Sequence, residues 1–142
     1  MKNKKIIFAT TTKNPNIYNL ENQINNYIKI AQKFSEFKII VIESNSENEI
    51  NINHLKKKYI NEKNVVIKNL GITNKNVRYP HLRTEQIAYA RNQYLKFIFK
   101  SKKLSLFDYL VIFDSDGVVN RMKYSDLLKI ISSEYDWSAQ FP

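Results

Sequence analysis

The chain contains no cysteine, only two glycines and three prolines in 142 residues. The absence of cysteine excludes disulfides, thiolate metal sites and a cysteine nucleophile, and is compatible with a reducing compartment. With so little glycine there is no Gly-rich nucleotide-cradling loop. Long apolar runs are missing as well. Ile6-Ile7-Phe8-Ala9 follows Lys2, Lys4 and Lys5, but it is too short for a signal-peptide core, and no stretch is long enough to span a bilayer. A soluble, cytoplasmic protein with no membrane span is the expectation. Arginine is scarce: four residues (Arg78, Arg83, Arg91, Arg121) among 23 basic ones, so the formal charge of +10 rests mainly on lysine. Those lysines are spread along a chain also rich in Asn and Ile, the usage of an AT-rich genome. The excess therefore reads as solvated surface, and no nucleic-acid partner is expected.

What is present is enough to build a core. A content of 43% hydrophobic and 13% aromatic residues suits one globular domain of this length. Apolar runs alternate with segments of helical period, the pattern of βαβ units, so an α/β fold on a mainly parallel sheet is expected. A first strand is predicted over 5–11. Asn14 is the expected cap of the next helix, with Pro15 at its first position, and Ile17, Leu20, Ile24, Tyr27, Ile28, Ala31 and Phe34 share one helical face. A second strand is predicted over 38–43. A short surface helix follows within 47–63 on a weak stripe of Ile50, Leu55, Tyr59 and Ile60. A third strand over 64–70 leads into a loop over 71–82. A helix capped by Thr84 then runs to about residue 100, with Ile87, Ala90, Tyr94, Leu95 and Ile98 facing inward. A buried strand over 109–113, a fourth helix over 125–132 and the start of another strand over 137–141 complete the pattern. No internal repeat or linker interrupts it.

The chemistry concentrates where the strand over 109–113 ends, in Asp114-Ser115-Asp116-Gly117. Ligands of open α/β sheets bind beyond the carboxyl ends of strands. Two close carboxylates there repel each other and are best tolerated with a cation between them. A plain turn is the simplest alternative, because Asp, Ser and Gly all favour turns. His54 and His81 have no ligand spacing around them, and no Ser-His-Asp arrangement is evident.

The run Val111-Ile112-Phe113-Asp114-Ser115-Asp116-Gly117-Val118-Val119 resembles the first motif of haloacid dehalogenase-type phosphatases, in which Asp114 would be the nucleophile. That motif normally opens its fold, however, and here few residues follow it. The chain also resembles, over nearly its whole length, the family 2 nucleotide-sugar glycosyltransferases of the GT-A fold. The resemblance rests on Thr10-Thr11-Thr12, then Val41-Ile42-Glu43-Ser44-Asn45-Ser46, then Ala90-Arg91-Asn92, and finally Asp114-Ser115-Asp116, in that order.

The resemblance implies a Rossmann-like GT-A sandwich, with residues 1–142 forming a nucleotide-sugar-binding domain that is the N-terminal part of a longer fold. It implies Mn²⁺ or Mg²⁺ held by Asp114 and Asp116. Thr10, Thr11, Thr12, Glu43, Arg91, Asp114, Ser115 and Asp116 would bind a UDP- or GDP-sugar, and transfer would go to an unknown acceptor. The catalytic base is not among these residues. Glu43 stands where Asp is more usual, and the Gly-rich run that commonly precedes Ala-Arg-Asn is missing, so nucleotide and subfamily stay open. Independently of the resemblance, a carboxylate-held Mg²⁺ or Mn²⁺ suits the charge that develops on a departing nucleoside diphosphate, and Arg83 or Arg121 could clamp phosphate. The competing reading is a non-catalytic remnant or partner-binding module of the same fold. An uncovered edge at 137–141 would favour self-association.

Overall fold

A computed structural model describes residues 1–115 and 122–133. Asp116, Gly117, Arg121 and the segment predicted as a strand over 137–141 lie outside the described residues. The chain runs β1 (Lys5–Thr12), α1 (Ile17–Ala31), β2 (Glu36–Glu43), α2 (Ile50–Lys58), β3 (Val65–Asn69), α3 (Arg83–Lys100), β4 (Tyr109–Ile112) and α4 (Tyr124–Ile131). The four strands form one parallel sheet in the order β3-β2-β1-β4. An α/β architecture on a parallel sheet is thus present, as the alternation of apolar runs implies.

Strand periodicity explains the layers. Along β1 and β2, Ile6, Phe8, Ile39 and Val41 face α1 and α2, where Leu20, Ile24, Tyr27, Leu55 and Tyr59 meet them, with Leu127 of α4 on the same side. The intervening Ile7, Ala9, Ile40 and Ile42 face α3, against Ala90, Tyr94 and Ile98. Both faces of these two strands are covered, so they read as uninterrupted apolar runs. Burying each large aliphatic or aromatic side chain contributes about 1.5–3 kcal/mol. Tyr27 lies between Phe8 and Phe113, with ring centroids 4.7 and 4.4 Å away.

Four local expectations are corrected. The cap of α1 is Asn16, whose Oδ1 accepts the Asn19 N–H at 3.1 Å, not Asn14. Asn14 is committed elsewhere: at φ 46° its N–H donates to Ser46 Oγ at 2.8 Å and its Oδ1 accepts the Glu47 N–H at 2.8 Å. Helix α3 begins at Arg83 after Leu82, so Thr84 is not its cap. Its entry is instead tied by the Tyr79 N–H to Glu85 Oε2 (3.0 Å) and by Gln86 Nε2 to the Pro80 carbonyl (2.6 Å). The buried side of α2 is Ile52 and Leu55, with Tyr59 just beyond, while Ile50 and Ile60 are exposed. Finally, β4 is not covered on both faces. Tyr109 and Val111 pack against the α1 side, but Leu110 and Ile112, on the α3 side, are 39% and 53% exposed. Helix α3 lies over β1 and β2 and does not shield Leu110 or Ile112.

Candidate functional site

After β1 the chain steps outward to β2 and β3. After β3 it returns across the sheet to place β4 on the other side of β1. This reversal opens a crevice at the carboxyl ends of β1 and β4, the topological switch point at which open α/β sheets bind ligands. The crevice encloses about 480 Å³. Its sides are the β1–α1 turn with Thr11, Thr12 and Lys13, the loop after β2 with Ser44 and Asn45, the face of α3 with Arg83, Gln86 and Arg91, and the end of β4 with Asp114 and Ser115.

Each wall is fixed by a traceable local cause. Thr12 pairs with Glu43 at the last rung between β1 and β2, and the Ser44 N–H donates to the Thr12 carbonyl at 3.1 Å. Asn45, at φ 57°, turns the chain there. Its amide exchanges two bonds with Thr73, Nδ2 to Oγ1 at 2.7 Å and the Thr73 N–H to Oδ1 at 2.8 Å. Asn tolerates this left-handed conformation better than most side chains. Gly71, at φ 65°, accepts the Asn45 N–H on its carbonyl at 2.9 Å; a Cβ there would meet no neighbouring atom, so backbone conformation is what asks for glycine. On α3, Arg83 and Arg91 lie eight residues apart, close to two full turns, and therefore share a face.

The end of β4 is held by three bonds. The Phe113 N–H donates to the Ala9 carbonyl at 3.1 Å, Ser115 Oγ donates to the Thr11 carbonyl at 3.1 Å, and Gln23 Nε2, from α1, donates to the Asp114 carbonyl at 2.9 Å. The Asp114 carboxylate is turned outward, 73% exposed, with Arg91 Nη2 3.8 Å from its Oδ1. At that separation and exposure the pair contributes little and can open for another partner. The charge of Asp114 is felt on both layers. Burial pushes the Tyr27 hydroxyl above its ordinary pKa and Asp114 adds to it; burial also raises that of Tyr94, with Arg91 opposing and Asp114 reinforcing.

Of the residues singled out from the sequence, Thr11, Thr12, Arg91, Asp114 and Ser115 come together at the crevice. Asp116 lies outside the described residues. Thr10 and Glu43 are buried beneath the rim, each only 1% exposed. Thr10 Oγ1 donates to the Thr11 carbonyl at 3.3 Å. Glu43 Oε1 accepts the Ser46 N–H at 3.1 Å, while its Oε2 has no hydrogen-bond partner among the described residues. A buried carboxylate oxygen left unpaired costs about 1–3 kcal/mol or more, which marks Glu43 as a group with bonding capacity in hand.

Sequence reasoning gave no role to Lys13, Asn45, Gln86 or Gln23. For Gln23 a signal existed: a polar residue interrupts the apolar stripe of α1 between Leu20 and Ile24. His54 and His81 are exposed and away from the crevice. Among the described residues no three His, Cys, Asp or Glu side chains converge, and no helix is long and apolar enough to cross a membrane. No protein-family model matches the chain, and no curated protein matches it.

Proposed function

We propose that the chain binds a nucleoside-diphosphate sugar together with Mn²⁺ or Mg²⁺ and serves as the donor-binding part of a glycosyltransferase. The observation that carries this reading is the switch-point crevice itself. One wall presents Arg83 and Arg91 and the other the outward carboxylate of Asp114, with polar Thr11 and Thr12 between them. Such a set suits a ligand that is anionic at one point, polar along its length, and accompanied by a hard cation. Mg²⁺ and Mn²⁺ take oxygen ligands and share their shell with substrate phosphates, so one or two carboxylates suffice where three ligands are not assembled. Asp114 fits that requirement, being open to the crevice and only loosely held by Arg91; Asp116 is the second carboxylate of the motif.

In this reading the ion, when bound, supplies Lewis-acid stabilisation of the departing nucleoside diphosphate. The protein does the rest. Arg91 and Arg83 take the diphosphate oxygens, donating the charge-assisted bonds that guanidinium groups form with phosphate. The Thr11–Thr12 turn faces the nucleoside end, while Glu43, buried beneath it, braces the loop after β2 by accepting the Ser46 N–H. The sugar acceptor is not identified by these residues.

Calorimetric titration with UDP and GDP, with and without Mn²⁺, tests the reading. Asp116→Ala is expected to abolish the metal-dependent part of binding with the fold intact, and Asp114→Asn to weaken it less, because an amide oxygen still accepts from a hydroxyl. Metal-dependent affinity unchanged in Asp116→Ala would sink the assignment.

A further inference from the structure

Gln23 is fully buried, on the face of α1 that packs against the sheet, at a position where the neighbouring turns carry Leu20, Ile24 and Tyr27. An amide is the wrong residue for packing alone. It must be stripped of water, and its Oε1 finds no partner among the described residues. Its one side-chain bond among the described residues runs from Nε2 to the Asp114 carbonyl, 2.9 Å away and 91 residues along the chain. That carbonyl belongs to the residue whose carboxylate faces Arg91 across the crevice.

We infer that Gln23 is a positioning residue: it fixes the backbone of Asp114 from beneath, and so holds in place the point from which the Asp114 carboxylate leaves the sheet. The inference deepens the reading of the crevice as a metal and nucleotide site and rests on it. The geometry gives Gln23 a task that Ser115 and Phe113 do not perform. Phe113 continues the ladder to β1, and Ser115 ties the next residue to Thr11. Among the described residues only Gln23 reaches the Asp114 peptide from outside the sheet. Without it the carbonyl can turn to water, and the peptide that joins Asp114 to Ser115 loses its tie to α1, so the backbone that carries the Asp114 carboxylate is held less firmly. A buried polar group that stabilises little while orienting a ligand-bearing segment is the relation expected of outer-shell partners in metal sites.

Gln23→Met and Gln23→Leu test it, both close in size and both lacking the donor. Three readouts are taken on the whole chain: thermal unfolding, hydrogen exchange in ligand-free protein of the Phe113 amide, which donates to the Ala9 carbonyl at the end of β4, and Mn²⁺-dependent affinity for UDP and GDP. The expected result is an unfolding temperature equal to or above that of the wild type, exchange at Phe113 faster by about tenfold or more, and metal-dependent affinity lower by about tenfold or more. Unchanged exchange at Phe113 in both variants overturns the role. So does a loss of stability that accounts for the loss of affinity, which would return Gln23 to ordinary packing. If the wild type binds neither nucleotide with Mn²⁺, the reading of the crevice fails, and the exchange measurement alone then decides whether Gln23 positions Asp114. Should Gln23→Leu not fold, Gln23→Met, unbranched and flexible, carries the test.

Discussion

The two ends of the parallel sheet treat charge in opposite ways. At the amino end the charged groups satisfy one another. Glu36 accepts from Lys5 at 2.7 Å and from Lys103 at 2.8 Å, and Asp108 takes the Lys4 ammonium at 2.9 Å and the Lys5 N–H at 2.8 Å. A depression of about 360 Å³ lies there too, edged by Glu36, Lys38 and Lys103, yet its carboxylate is already occupied. At the carboxyl end an oxygen of Glu43, buried beneath the rim, has no partner among the described residues, and Asp114 and Arg91, on the crevice itself, stand apart at 3.8 Å. Polar groups that have found partners hold the fold. Those left short of partners beside a crevice are the ones with bonds to offer a ligand.

The sharpest way to break this contrast is to remove two cations from each end. Arg83→Ala with Arg91→Ala is expected to lower the affinity for a nucleoside diphosphate by about hundredfold or more, at roughly 1.5–3 kcal/mol for each bond to a charged group. Lys5→Ala with Lys103→Ala should leave the same titration unchanged. Equal losses from both pairs would mean that general positive charge, not the crevice, attracts the ligand.

Changing pH separates the ends by a different route. Glu36 is held down to about 2, first by the Lys103 hydrogen bond and then by that from Lys5. Its contribution is present above the ordinary carboxylate range and is lost as pH falls toward 2, a limb that Glu36→Gln should remove without affecting nucleotide binding. The alkaline limb belongs to buried tyrosines. Burial pushes Tyr59 up to about 12, with Glu21 and Glu62 adding to it, and raises Tyr27 and Tyr94 in the same direction. Below about pH 10 these hydroxyls are neutral in both states; above it the unfolded chain ionises first, so stability falls up to about pH 12, by on the order of 2 kcal/mol for Tyr59. Denaturant titrations across pH at fixed ionic strength measure both limbs.

The smallest effect is expected at Tyr27, whose buried hydroxyl has no partner among the described residues. Tyr27→Phe keeps the ring between Phe8 and Phe113 and removes only the orphaned oxygen. Stability should rise by about 1 kcal/mol, read as a Tm higher by a few degrees, with nucleotide affinity unchanged. A fall in Tm would show that the hydroxyl is bonded in solution.

Much of this fold is legible in residue order, because β1 and β2 are covered on both faces and therefore carry unbroken apolar runs, and because α1 shows its stripe from Leu20 to Phe34. Legibility fails where a tertiary partner overrides the local pattern. Asn14 and Pro15 look like a helix start, but Asn14 is drawn off to Ser46 and Glu47. In α2, Ile50 and Ile52 are equally apolar, and packing under α1 and β3 decides which is buried. Tyr109 to Ile112 is as apolar as a central strand, and nothing local says that α3 stops short of covering Leu110 and Ile112. The carboxylates at the end of β4 are visible as a motif. Arg83 joins them only through the pitch of α3, and Gln23 only through a contact across the fold.

The strand order has a further consequence, for the sequence of events in folding. Strands β1, β2 and β3 with their helices are joined by short connections, whereas β4 reaches β1 only after a loop that separates Ser115 from Thr11 by 104 residues. Closing the longest loop costs the most chain entropy, so contacts of that span are expected to form late. The crevice does not exist until this closure, since Asp114 and Ser115 arrive with β4. The same strand, paired on one side among the described residues and open on one face, is the one expected to detach first in native-state fluctuations. The part of the molecule offered to a ligand is thus also the part that a ligand, by bridging Asp114 to the β1 turn and α3, would most protect from opening.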